Sequence, residues 1–209
     1  MKVIQNWVVP DREVSGISDI LSEWEKKHLE VLSLVPNRGL AVQAGGYVGV
    51  FPKKLSYLFS KVITFEPVKE NWDCLISNVQ ETNVTKINAG LGNVKGTAQI
   101  KKTIPNNCGA IQLESAEEGD LQIVRLDNYV SEPVDLLWLD IEGYEVKALE
   151  GASSTIEKYK PVIVLENNGL MPEFPASLEG SSELRTWMKQ TWNYSFVKRI
   201  MRDDIFIYD

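Results

Sequence analysis

The sequence predicts an α/β fold built on a parallel sheet with crossover helices, in a single domain. Three observations carry this. Short runs rich in Val, Ile and Leu alternate with helix-length segments along most of the chain, the pattern of strands joined by crossovers. The run 134–139 carries apolar residues toward both faces, as a central strand covered by helices on either side requires. No linker rich in Pro, Gly or Ser divides the 209 residues, a length that supports one well-buried core and is short for two.

The elements follow in order. Ile17, Ile20, Leu21, Trp24, Leu29, Leu32 and Val35 recur at roughly helical spacing, with Ser15 or Ser18 as the cap. Strands are expected at Leu40–Gln43, Val62–Phe65, Val84–Ala89, Val134–Ile141 and Val162–Leu165. Helices are expected at about 52–60, 69–81 and 144–159. Residues 95–126 break the alternation with short strand-like pieces and turn signals at Pro105-Asn106-Asn107 and Glu118-Gly119-Asp120. A surface loop is expected at 166–182, with Gly169, Pro172, Pro175 and Gly180. The chain then reads as helix 181–191, strand 194–200, a turn at Arg202-Asp203-Asp204 and strand 205–208. The last two strands form an antiparallel hairpin at the sheet edge.

Composition narrows the function. Hydrophobic residues are 44% and charged residues 24%, ordinary for a globular chain. The longest apolar runs stop far short of the ~20 residues of a membrane span, and the start lacks the apolar stretch of a signal peptide. A cytoplasmic protein with no membrane partner is expected. A net charge of −7, with Lys53-Lys54 and Lys101-Lys102 only pairs, gives no electrostatic footprint for nucleic acid. Cys74 and Cys108 read as structural thiols, and His28, the one histidine, as a solvated helix residue that excludes multi-histidine metal sites.

Three strand ends carry the chemistry. The first expected strand runs into Gln43-Ala44-Gly45-Gly46-Tyr47-Val48-Gly49. Such a turn lets backbone approach a ligand, or serves only as a tight strand-to-helix turn. The second ends in Phe65-Glu66-Pro67. Glu66, 21 residues after Gly45, stands where a carboxylate can accept bonds from ribose hydroxyls, or where it can stabilise the next helix N-terminus. The segment around Asp140, Glu142 and Glu145 ends the central strand in three carboxylates. Asp140 and Glu142 share a side if the chain stays extended, while Glu145 fits the first helical turn. Asp140, Glu166 and Asn167 on adjacent strand ends are oxygen donors suited to magnesium, or plain turn residues. No metal site is assigned.

The sequence resembles the FkbM-type methyltransferase family, a branch of the S-adenosylmethionine-dependent class I methyltransferases. The segments that carry the resemblance are AVQAGGYVGVFPKKLSYLFSKVITFEPVKENWDCL (41–75), INAGLGNVKGTA (87–98), VRLDNY (124–129) and VDLLWLDIEGYEVKALEGA with KPVIVLE (134–152 and 160–166). The resemblance implies a Rossmann-like, mostly parallel sheet of seven strands in order 3-2-1-4-5-7-6 with the last strand antiparallel, flanked by helices. It places a class I methyltransferase domain at 38–209 behind an N-terminal helical segment at 1–37. It implies S-adenosylmethionine as cofactor, bound by Gln43, Gly45, Gly46, Gly49, Glu66, Pro67, Ala89, Gly90 and Asp140. Gly45 and Gly49 then line the methionine part, Glu66 meets the ribose, and Ala89 and Gly90 lie near the adenine. Gln43 and Tyr47 depart from the Asp and Asn of the family motif; Gln43 can still donate to the methionine carboxylate, or bridge through water, but the charge of the Asp is gone.

The implied reaction is methyl transfer to a hydroxyl of a sugar or other small molecule, with Asp140 or Glu142 as base and loops 102–120 and 167–182 holding the acceptor. The alternatives are a cofactor-fold binding protein that is catalytically weak or inactive, and an NAD-dependent oxidoreductase. The absence of GxGxxG counts against the oxidoreductase.

Overall fold

A computed structural model describes residues 1–14, 16–174 and 181–209. The elements are β1 (Lys2–Ile4), β2 (Trp7–Val9), α1 (Gly16–Leu32), β3 (Leu40–Ala44), α2 (Val50–Ser56), β4 (Lys61–Phe65), α3 (Lys69–Asn78) and β5 (Val84–Ile87). Then come β6 (Gly90–Leu91), β7 (Gly96–Ile104), β8 (Asn107–Ser115), β9 (Leu121–Val124) and β10 (Leu136–Leu139). The chain closes with α4 (Glu145–Glu150), α5 (Ser153–Tyr159), β11 (Val162–Glu166), α6 (Ser182–Trp192), β12 (Tyr194–Ile200) and β13 (Asp203–Tyr208).

The large sheet has the order β12-β13-β11-β10-β3-β4-β5. Read from β5, it is the expected 3-2-1-4-5-7-6. The pairs from β11 through β5 are parallel, and β13 joins β11 antiparallel. Alternation along the central strands builds the layers. Leu136 and Trp138 of β10 pack with α1, α2 and α3. Leu137 and Leu139 pack with α4, α5 and α6 on the opposite face. Trp138 is buried and meets Phe51 edge-on at 5.0 Å and Trp24 at 6.3 Å. The irregular segment after β5 forms a second sheet, β6-β9-β7-β8, whose Ala98 and Ile123 pack on Tyr144.

Several elements differ from expectation for local reasons. The helix expected at 144–159 is two, α4 and α5, divided at Gly151. A Cβ at Gly151 would lie 1.9 Å from Gly92 O, and the Gly151 carbonyl accepts from Asp127 N at 3.1 Å. The final turn closes at Met201-Arg202, with Met201 at φ 57. Asp203 and Asp204, expected in that turn, are buried strand residues because each has a cation: Lys27 for Asp203 at 3.0 Å, and Arg199 for Asp204 at 2.8 Å. Ser15 or Ser18 is expected to cap α1. Ser15 lies outside the described residues, Ser18 is already helical, and the Glu13 carboxylate accepts from Gly16 N at 2.6 Å. Of the expected surface loop, Pro175 and Gly180 also lie outside the described residues.

The first 37 residues do not stand apart from the sheet. They add the hairpin β1–β2, which pairs through Val8 with both ends of the Asn78 amide on α3. Ile17, Trp24 and Val31 belong to the same core as Ala41, Leu55 and Trp138. Leu29, expected on the apolar stripe, is exposed, and Lys27 is buried in its stead. His28 is half-buried rather than solvated, and its ring stacks on Trp24 at 5.0 Å. Trp24→Ala is therefore expected to destabilise the whole protein by ~3–5 kcal/mol, the cost of emptying a large aromatic site in a core. Urea unfolding checks this; a loss under ~1 kcal/mol would mean that α1 is an appendage.

Candidate functional site

The site forms where β3, β4, β10 and β11 end together at their carboxyl edge, the usual position of the ligand crevice in an open α/β sheet. Gly45 makes the approach close. Its φ is 85°, and a Cβ there would stand 1.9 Å from the carbonyl oxygen of Asp140. Gly45 N and Gly46 N both donate to Phe65 O, at 3.2 and 2.9 Å, so the turn is pinned to β4 as well. Gly49, at φ 101, ends the turn and starts α2.

Glu66 organises the same turn. Its buried carboxylate accepts from Tyr47 N at 2.7 Å and Val68 N at 2.8 Å. Burial pushes it up to about 7 despite those two bonds. Gln43 points inward on its own loop: Nε2 donates to Ala44 O at 3.1 Å and Gly45 O at 2.8 Å, and Oε1 accepts from Thr64 Oγ1 at 2.7 Å. Tyr47 donates its phenol to Glu13 at 2.6 Å, and Cys108 N donates to the same carboxylate oxygen at 2.7 Å. The glycine turn is thus tied to the N-terminal segment and to the β7–β8 hairpin.

At the end of β10 the chain does not stay extended. Glu142 has φ 54 and Gly143 φ 100. Glu145 fixes this bend, accepting from Ile141 N and Gly143 N at 3.0 Å each. Asp140 and Glu142 still converge, and Glu166 of β11 joins them. One carboxylate oxygen from each lies within 4.8 Å of the others. Burial and the neighbouring Asp140 push Glu142 up to about 7, and burial with the surrounding carboxylates raises Glu166 well above its ordinary value. Burial also pushes Glu145 up to about 8. Asn167 donates its amide N–H to Asp204 Oδ2 at 2.9 Å and keeps a buried Oδ1 without a partner, and Glu142 stands with Asp140 and Glu166.

Sequence reasoning missed the cations. Lys27, buried on α1, pairs with Glu23 at 2.9 Å and Asp203 at 3.0 Å. Burial works against its charge, but Asp203, Asp140 and Glu23 together hold it firmly protonated. Arg202 reaches Glu23 at 2.9 Å and Glu166 at 3.4 Å. The signal for Lys27 was its place three residues after Trp24, on the buried stripe of α1.

Two adjoining clefts open here. One, with an open volume of about 510 Å³, is walled by Phe65, Leu91, Ile111 and Tyr144 and carries Glu66 and Asp140. Gly45, Pro67 and Gly90 line it too. The second, about 1030 Å³, shares Gly45, Glu66, Asp140 and Glu142 with the first. Its other walls come from α1, Tyr47, the segment 107–110, Glu166 and Met201-Arg202. Of the two segments expected to hold an acceptor, 102–120 contributes Asn107, Gly109 and Ala110 to the larger cleft and Gly109, Ile111 and Leu113 to the narrower one; residues 167–174 contribute no wall to either cleft.

The strand order and the glycine turn define an open-sheet α/β protein whose clefts lie at the sheet's carboxyl edge. The family model described as the methyltransferase FkbM domain matches residues 44–196, and the chain belongs to that family. No curated protein matches the chain by sequence. Among solved structures, it is similar to the FkbM methyltransferase from Methylobacillus flagellatus KT, with 16% identity and a TM-score of 0.53. That match covers 82% of this chain and 44% of the other, so this chain spans under half of that protein's length. It is similar also to a chain of the fibrillarin/Nop5p complex (17% identity, TM-score 0.52, covering 88% of this chain and 80% of that one). A third likeness is to SMU.1697c from Streptococcus mutans, solved with S-adenosylhomocysteine (12% identity, TM-score 0.51, covering 90% and 94%). Among the described residues, no helix is long and apolar enough to cross a membrane.

Glu66, Glu142 and Glu145 hold their protons more tightly folded than unfolded, so folding loses stability as pH rises from about 4.5 toward 8. Denaturant unfolding in chelator should show the free energy falling between pH 5 and pH 8. Glu145→Gln should flatten part of that fall; an unchanged slope would mean that Glu145 is ionised in the folded state.

Proposed function

We propose that this chain transfers a methyl group from S-adenosylmethionine to a hydroxyl oxygen of a small polyhydroxylated acceptor. The observation that carries the reading is the junction of the two clefts at Asp140 and Glu142, in a chain of the FkbM methyltransferase family. The donor set of the narrower cleft suits the cofactor: a buried carboxylate at the end of β4 for a ribose diol, apolar walls for a flat ring, and acids facing a cationic centre. Glu66 would hold the ribose, Gly45 and Gly46 the methionine part, and Pro67, Ala89 and Gly90 the adenine side. Gln43 would act through the turn, since its amide is already bonded to Ala44 O and Gly45 O. When bound, S-adenosylmethionine supplies a methyl group on a sulfonium leaving group.

The chain's own work is alignment and proton removal. Glu142, pushed up to about 7, is suited to take a hydroxyl proton near neutral pH. Asp140 orients the same hydroxyl from the end of β10. The larger cleft is lined by Asp19, Glu23, Glu66, Asp140, Glu142 and Glu166 against Lys26 and Arg202. An acidic excess of this kind repels a phosphodiester backbone and favours a neutral or cationic acceptor, in keeping with the chain's net charge of −7.

A second reading, a protein that binds cofactor without turnover, draws support from Gln43, whose amide is closed on its own loop. Two experiments test the proposal. S-adenosylhomocysteine should raise the melting temperature and NAD should not, since a ligand specific to the folded state adds about 2.7 kcal/mol at a hundredfold excess over Kd. No shift at millimolar S-adenosylhomocysteine would reject the cofactor reading. With methyl-labelled S-adenosylmethionine and a panel of sugars, Asp140→Asn should keep the melting shift and lose ~10²–10⁴ in turnover. Binding without any turnover in the parent would favour the second reading.

A further inference from the structure

We propose that Asp140, Glu142 and Glu166 bind one hard divalent cation at the junction of the two clefts. The three residues come from different positions on the sheet edge. Asp140 follows β10, Glu142 sits in the left-handed bend beyond it, and Glu166 ends β11. One oxygen from each lies within 4.8 Å of the others. Two oxygens on one ion can stand at most twice the metal–oxygen distance apart, which is ~4.2 Å for magnesium and ~4.6–5.2 Å for calcium. The observed spread fits the larger ion as it stands and a smaller ion after a shift of a few tenths of an ångström.

Clustered acids alone would not make a site. The independent observation is Glu166, which is 3% exposed and lines the larger cleft with Asp140 and Glu142. Its Oε2 is buried with no N–H or hydroxyl donor beside it, and its carboxyl group lies at hydrogen-bond range of that of Asp140. Its Oε1 has the Arg202 guanidinium at 3.4 Å, from a side chain that is half exposed. A buried carboxylate oxygen left unpaired is costly, and a cation is the ligand that satisfies it most fully.

The local charges point the same way. Asp140, Glu142, Glu166, Glu23 and Asp203 gather around Lys27 and Arg202. Lys27 is committed to Glu23 and Asp203, and Arg202 is shared between Glu23 and Glu166. Asp140 and Glu142 are left without a cation of their own in these pairs. Glu142 is oriented by Asn168 Nδ2, which donates to its Oε2 at 3.3 Å. All three donors are carboxylate oxygens, the set that selects hard cations over zinc or copper. Binding of the ion does not depend on the methyl-transfer reading. Its use does rest on that reading: there the cation would draw an acceptor hydroxyl oxygen toward Asp140 and ease transfer of its proton to the Glu142 carboxylate oxygen that does not hold the ion.

The test is direct. Protein stripped with chelator is titrated with Mn²⁺ alone, and bound ions are counted by electron paramagnetic resonance. About one Mn²⁺ per chain is expected, displaced by excess Ca²⁺ or Mg²⁺. Glu166→Gln and Glu142→Gln should each weaken binding by at least ~10-fold, since even groups behind a ligand are worth 10–100-fold. Glu118→Gln, an exposed acid of the β8–β9 turn, should leave it unchanged. Glu142 lies in a half-buried bend, so its variant keeps the test open if Glu166→Gln fails to fold. No stoichiometric Mn²⁺ at millimolar concentration, or equal binding by Glu142→Gln, would overturn the proposal. The S-adenosylhomocysteine melting shift is read on the metal-free protein, so either reading can fail alone.

Discussion

The structure depends on keeping a crowd of carboxylates buried at one edge of the sheet. Lys27 is the centre of that arrangement. It leaves α1 on the buried face and closes on Asp203 of β13 and Glu23 of its own helix. A buried pair of this kind adds little net stability over an apolar replacement, yet losing one partner costs ~3–5 kcal/mol. Lys27 therefore fixes where α1 and the final hairpin sit more than it strengthens the fold. Arg202, from the turn of that hairpin, completes the ring through Glu23 and Glu166.

The site's geometry follows from that edge. The glycine turn can approach β10 only because Gly45 has no side chain, and its carbonyl neighbour there belongs to Asp140. The Glu66 carboxylate holds the turn from β4, and Tyr47 ties it through Glu13 to the hairpin that walls both clefts. The bend at Glu142 and Gly143 is held by Glu145, a helix-start acid that serves backbone N–H groups rather than solvent. Binding surface and acid cluster are thus two sides of one backbone junction. Asp140 lines both the narrow cleft and the wide one.

What could be read in advance was what depends on neighbours in sequence. The runs at β3, β4 and β11 are short, largely apolar and bounded by turns, and they sit where periodicity put them. The hairpin β12–β13 and the glycine turn were legible for the same reason. The Glu145 capping role was legible too, because helix-start acids act locally. The failures are long-range. The Lys27–Asp203 and Arg202–Glu166 pairs went unread because their partners stand 176 and 36 positions apart. Asn167 donates to Asp204 of the last hairpin, a contact that nothing in the sequence announces. The split at Gly151 reflects contact with Gly92, 59 positions away. Glu142 reached the right company by the wrong route, through a left-handed bend rather than an extended strand.

The central claim is that the glycine turn, the end of β4 and the end of β10 form a single cofactor site. Amide hydrogen exchange with and without S-adenosylhomocysteine measures this most directly. Slowed exchange is predicted in residues 45–49, 66–68, 89–91 and 140–144, with α6 and β12 unchanged. Unchanged exchange at 45–49 and 140–144, with protection confined to the groove beside Asn93 and Thr97, would contradict the account.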